Sequence, residues 1–100
     1  MNHYIIYYSL NNQNWNGYME VENMLAKCGD AWKTNSDPTF VRLDSELGLK
    51  AMHHRMLLTL NVKNGDTYYI AQIPTTTYQN GSTRLNRLTN MEFGTKLKAD

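Results

Sequence analysis

Residues 3–10, HYIIYYSL, carry apolar side chains on both strand parities and then break into the polar run Asn11–Asn16. β-Branched and aromatic residues stopped by asparagines predict a strand. Parity places Tyr4, Ile6, Tyr8 and Leu10 on one face and His3, Ile5, Tyr7 and Ser9 on the other. With both faces largely apolar, the expectation is an interior strand covered on each side. The period then changes. Tyr18, Val21, Met24, Leu25 and Cys28 recur at helical spacing and predict a helix over residues 17–28. Asn16 is its expected N-cap, Glu20 and Glu22 lie near the positive end of its dipole, and Gly29 is the expected left-handed residue beyond its end.

Residues 31–43 read as two short strands around the turn Asn35-Ser36-Asp37-Pro38. Residues 44–73 fit two periods. Asp44 or Ser45 can cap a helix in which Glu46 pairs with Lys50 and Leu47, Ala51, His54 and Leu58 share a face. Yet Met56, Leu58, Leu60 and Val62 also alternate with Leu57, Thr59, Asn61 and Lys63, and Asn64-Gly65 follows as a strong hairpin signal. The favoured division is a helix over 45–55 and a hairpin over 57–73. Beyond Pro74, Leu85, Leu88 and Met91 after Ser82 predict a short capped helix. Residues 74–100 are taken as a C-terminal extension packed on, or exchanged with, a domain formed by residues 1–73.

Strand, helix, two strands, helix, strand is the order of a ferredoxin-like split βαβ fold of the α+β class. One antiparallel sheet carries two helices on one face and leaves the other open. An open face bearing tyrosines calls for cover, so a homodimer or a ligand is expected.

Composition narrows the function classes. The chain has 100 residues, 41% hydrophobic and 19% charged, which fits one globular domain. Net charge is +1, too little to draw nucleic acid by field alone. Residues 1–73 sum to −1 and residues 74–100 to +2, the latter through Arg84, Arg87, Lys96 and Lys98. Cys28 is the single cysteine, so an internal disulfide is impossible and a core thiol is expected. No basic n-region opens the chain and no apolar run approaches the ~20 residues of a bilayer span, so the expectation is a cytoplasmic protein with no membrane association.

The chain resembles a family at "YIIYYSL", at Tyr18 to Leu25 with "CGDAW", and at "DPTFV" and "DTYYIAQI". These stretches, within residues 4–73, are similar to the small ferredoxin-like CRISPR-associated proteins of the adaptation complex and their bacterial relatives, a fold shared by VapD-type toxin endoribonucleases. The resemblance implies a ferredoxin-like dimer. In that family the first strand ends Tyr-Asp-Leu, and the aspartate is the metal-ligand candidate. The matching residues here are Tyr8-Ser9-Leu10. A serine hydroxyl lacks the negative charge that Mg²⁺ demands. The family's later Asp-Ser-Thr-Trp is Asp37-Pro38-Thr39-Phe40. A relative with these departures is expected to have lost metal-dependent phosphodiester cleavage.

Other chemistry is sparse. His53-His54-Arg55 could supply a general base and a phosphate contact, but neighbouring helical histidines point about 100° apart and cannot easily share a metal. Asp30, Asp37 and Asp44, spaced by seven, could cluster around Mg²⁺ if turns brought them together, though each also suits a turn or cap. No phosphate-binding glycine loop, nucleophile elbow or metal motif occurs, and no cofactor is expected. Tyr7 with Tyr68 or Tyr69 could display rings for stacking RNA bases, but Asp66 stands where a basic residue would help. The leading expectation is therefore a non-catalytic binding protein. It would be a regulator or inhibitor of phage or mobile-element type that occupies a protein surface, or less readily a nucleic-acid surface. The candidate contacts are Tyr7, Trp15, Trp32, Tyr69, Arg84 and Arg87. The alternatives are a divergent endonuclease using His53, His54, Arg55 or Asp37, and an RNA-binding module built on sheet aromatics.

Overall fold

The computed structural model describes residues 1–12, 15–73 and 93–99. The elements run β1 (Asn2–Ser9), α1 (Trp15–Cys28), β2 (Asp30–Lys33), β3 (Phe40–Ser45), α2 (Leu49–Thr59), β4 (Thr67–Ile73) and β5 (Thr95–Lys96). The strands form one sheet in the order β4-β1-β3-β2-β5, with every pairing antiparallel. The first four strands and two helices follow the ferredoxin-like order, and β5 adds to the β2 edge. The expected α+β architecture is therefore observed. Among the described residues no helix is long and apolar enough to cross a membrane.

The core lies between the helices and one face of the sheet. Tyr4, Ile6 and Tyr8 of β1 and Val41 and Leu43 of β3 meet Val21 and Leu25 of α1 and Met52 and Met56 of α2, all buried. The helical stripe predicted from the sequence supplies this contact, with Tyr18, Met24 and Cys28 packed at its margin. Tyr4 keeps its polar end satisfied by donating to the Leu47 carbonyl at 2.7 Å.

Several local expectations are corrected. Asn16 lies inside α1, which begins at Trp15, so it is not the N-cap. Among the described glycines only Gly65 has a positive φ, so Gly29 is not a left-handed cap. Gly29 is needed for a close approach instead: a Cβ there would collide with the Asp44 carbonyl oxygen of β3. Ser45 reinforces this crossing, donating its hydroxyl to the Cys28 carbonyl at 2.6 Å and accepting the Leu47 N–H at 3.0 Å.

The second helix has the expected length but lies four residues later than expected. Asp44 and Ser45 end β3 rather than cap a helix, and the N-cap is Gly48. Glu46 precedes the helix and cannot make the proposed helical pair with Lys50. Its buried stripe is Met52 and Met56, followed by Leu60 beyond its end, whereas Ala51, His54 and Leu58 face solvent. No hairpin occupies residues 57–73. The helix runs to Thr59, a 3-10 turn covers Val62–Asn64, and Gly65 at φ 96° closes it. Asn64-Gly65 thus supplies the left-handed residue its chemistry favours, but in a helix-to-strand connection. Asp66 holds that connection, accepting the Asn11 N–H through Oδ1 and the Asn61 N–H through Oδ2, each at 2.8 Å.

Arg84, Arg87 and the helix expected around Leu85–Met91 lie outside the described residues. Phe93 and Leu97, which flank β5, are buried, and the Leu97 N–H donates to the Ala31 carbonyl at 2.8 Å.

Candidate functional site

The face of the sheet opposite the helices is built by the odd residues of β1 and their cross-strand partners. Tyr7 lies between Tyr69 of β4 and Phe40 of β3. Ile5 lies between Ala71 and Arg42, and Arg42 in turn faces Trp32 of β2, which faces Lys96 of β5. His3 lies between Ile73 and Asp44, and Asp44 faces Asp30. Alternation makes this face inevitable once the even residues are in the core, because strand side chains repeat every two positions.

The first row is a run of aromatic rings. Tyr7 and Phe40 meet edge to face with centroids 5.9 Å apart, and Phe40 stacks on Phe93 at 5.7 Å. Tyr69 is 68% exposed and Tyr7 44%, so the outer rings present large apolar surface to solvent. In the second row Trp32 carries two cations: the Arg42 guanidinium carbon lies 4.9 Å from its ring centroid and Lys96 Nζ 5.8 Å. The charges are nevertheless balanced. Asp44 accepts from Arg42 at 3.1 Å and bonds His3 Nδ1 at 2.6 Å, while Lys96 lies 3.3 Å from Asp30. Among the described residues, the two cations and two carboxylates of this face balance, which does not favour a polyanion.

The predicted residues fare unequally. Tyr7, Tyr69 and Trp32 share this face. Trp15 does not: it opens α1 and is exposed at the end of the helix. His53, His54 and Arg55 sit on the exposed side of α2. His54 is exposed, and His53 Nδ1 is hydrogen-bonded to the Tyr68 hydroxyl at 2.8 Å. Tyr68 belongs to the helix side, since it pairs with Tyr8. Asp37 organises the β2–β3 turn by accepting from the Thr39 N–H at 3.0 Å and the Thr39 hydroxyl at 2.6 Å. Asp30 and Asp44 are cross-strand partners at the far end of that hairpin, so the three aspartates do not converge. Among the described residues no group of three or more histidine, cysteine or acidic side chains is placed to hold a metal.

Sequence reasoning missed Phe40, Arg42, Phe93 and Lys96 as members of the face. Parity within residues 39–43 groups Phe40 with Arg42, but only the β1–β3 register shows that this pair stands beside Tyr7 and Ile5.

Two buried groups predict a pH response. Burial pushes the Tyr8 hydroxyl up, as do the nearby Glu22 carboxylate, Tyr18 and Asp37. Burial also pushes the Cys28 thiol up, against a smaller opposing effect of Arg55. Both groups hold their protons longer in the folded chain than in the unfolded one. Once the pH passes the ordinary thiol and phenol values of 9.0 and 10.0, the unfolded state releases protons first and stability falls. Urea midpoints should therefore drop between about pH 8 and about pH 10.5, and Tyr8→Phe should flatten the drop.

No family model, curated protein or solved structure matches this chain.

Proposed function

We propose that the chain is a non-catalytic binding protein that presents the open face of its sheet to a protein surface, in the first place a second copy of itself. The observation that carries this reading is the cross-strand row Tyr69–Tyr7–Phe40, with Tyr69 and Tyr7 exposed, on the face that the described helices do not cover. Tyrosines suit this role because each covers much area with few rotors to freeze and keeps a polar handle. Size sets the strength. The strands hold 27 residues, and at about 3.3 by 4.8 Å each they give a flat area of roughly 430 Å². That is about half of the ~800 Å² per partner of a standard interface, so a weak, reversible dimer is expected. The regulator or inhibitor role belongs to the same proposal and would be exercised by covering a partner's surface.

Light scattering on purified protein tests this. The wild type should approach twice 11.6 kDa as concentration rises. Tyr7→Lys with Tyr69→Lys should stay at the monomer mass, since a paired face would force like charges together. A wild type that stays monomeric at high concentration contradicts the second-copy reading.

Tyr7 and Phe40 on adjacent central strands also support base stacking, the second reading. The charge balance of the face argues against it. RNA binding would have to show the steep salt dependence of phosphate contacts and weaken in Tyr7→Ala. The endonuclease alternative predicts Mg²⁺- or Mn²⁺-dependent cleavage lost in His54→Ala or Asp37→Ala. The separation of those residues favours no cleavage.

A further inference from the structure

A cleft of about 720 Å³ opens beside the end of β1, between the first turns of α1 and the β2–β3 turn. It shares Tyr7 and Ser9 with the sheet face and is otherwise a separate place. Its volume falls within the ~300–1,000 Å³ typical of small-ligand sites. Rings dominate its walls: Tyr7, Tyr8, Trp15 and Tyr18 all line it. The Tyr8 and Tyr18 rings are tilted at 45° with centroids 6.3 Å apart, so the wall is faceted rather than flat. Trp15 at 75% exposure and Met19 at 42% stand at the rim without cover.

The charges of the lining are Glu22, Asp37 and Lys33. Lys33 Nζ lies 3.0 Å from Glu22 and neutralises it, which leaves Asp37 as the excess charge. Beneath the wall, the Tyr8 hydroxyl is buried and has no hydrogen-bond partner among the described residues. A buried polar group left unmatched beside a cleft marks a place shaped by something other than packing. Asp37, the excess charge, favours a positive guest. Aromatic faces and a negative surround together select a cation over a phosphate or carboxylate.

The state of the acceptors narrows the kind of cation. One oxygen of each carboxylate is engaged, Glu22 Oε2 by Lys33 and Asp37 Oδ1 by the Thr39 N–H and hydroxyl, which leaves two carboxylate oxygens, Glu22 Oε1 and Asp37 Oδ2, fewer than the three donors of a primary ammonium. A primary ammonium brings three donors and a tightly held water shell, and needs acceptors to replace them. A trimethylammonium has no N–H, sheds water easily and is held by ring faces. We propose that this cleft is a binding site for a quaternary ammonium head group, carried by a small molecule or by a trimethylated lysine side chain.

Titration of the intact chain, followed by calorimetry, tests this with four probes. These are choline, N-acetyl-trimethyllysine amide, the neutral choline isostere 3,3-dimethylbutanol, and ethanolamine. Saturable binding is expected for choline or for the trimethyllysine amide, and the tighter of the two identifies the source. The neutral isostere and ethanolamine should each bind about tenfold more weakly. Trp15→Ala and Tyr18→Ala should weaken the preferred probe about five- to tenfold, with Leu58→Ala, exposed on α2 away from the cleft, unchanged. Trp15 is exposed, so its variant should keep the wild-type circular dichroism. Absence of saturable binding by both quaternary probes, equal binding by the neutral isostere, or indifference to Trp15→Ala overturns the proposal.

Discussion

Gly29→Ala should destabilise the protein by about 3 kcal/mol or more, among the largest effects available to a single methyl group. The added Cβ would overlap the Asp44 carbonyl oxygen and would meet the Asp44 carbonyl carbon and Ser45 Cα at 3.1 Å. All three atoms are backbone, so no side chain can swing aside to relieve the overlap. The strand they belong to, β3, is paired on both sides, to β1 and to β2, so it cannot shift without breaking a ladder. The end of α1 would have to lift, and the Ser45 hydroxyl would lose its 2.6 Å bond to the Cys28 carbonyl. For a domain of this size the melting temperature should fall by roughly 15 °C. Gly48→Ala is the control. A Cβ there meets nothing within 4 Å, and the expected loss is under about 1 kcal/mol, from the poorer N-cap alone. Equal stability of Gly29→Ala and the wild type would show that α1 does not cross β3 in this way.

Met56→Ala should cost about 2–5 kcal/mol, while Leu58→Ala should stay within about 0.5 kcal/mol of the wild type. Met56 is fully buried between α2 and the sheet, whereas Leu58 is 72% exposed. The pair separates the two periods that residues 56–62 satisfy. In a strand, Met56 and Leu58 share one face and both truncations would be costly. In the helix, they point about 200° apart, and alanine at an exposed site even gains helix propensity. Urea unfolding of the two variants decides the matter. A loss at Leu58 comparable to that at Met56 would restore the hairpin.

The contrast shows what the chain made legible. β1 was readable because its apolar parity has no helical alternative, and α1 because five residues keep one period between asparagine and glycine. Together with the turn at Asp37-Pro38, the helix begun near residue 45 and the strand DTYYIAQI, these led to the βαββαβ order and hence to an open face. The 56–62 stretch was not readable, because Met56 and Leu60 satisfy a helical period while Met56, Leu58 and Leu60 satisfy a strand period. The contact of α2 with the sheet selects the former. Asn64-Gly65 misled for a related reason. The dipeptide reports a left-handed residue, and such a residue closes a 3-10 turn as well as a hairpin.

The candidate site divides in the same way. Tyr7 and Tyr69 could be chosen by parity and composition. Phe40, Arg42 and Phe93 could not, because Phe40 reaches Tyr7 and Arg42 reaches Ile5 only through pairings across more than 30 residues, and Phe93 reaches Phe40 only through a ring contact between distant segments. The chemical candidates failed for the opposite reason. His53, His54 and Arg55 are neighbours in sequence, but α2 turns them outward, away from every aspartate considered with them. Adjacent position made them look like a site, and three-dimensional placement disperses it.

The measurement that bears most directly on the binding face is hydroxyl-radical footprinting of the wild type in dilute and in concentrated solution, read residue by residue. Tyr7, Tyr69 and Trp32 should become protected as concentration rises, while Trp15 and Leu58, exposed elsewhere, should not change. Unaltered oxidation of Tyr7 and Tyr69 across that range, or protection that falls on Leu58 and Trp15 instead, would contradict the assignment of the open sheet face as the surface through which this protein binds.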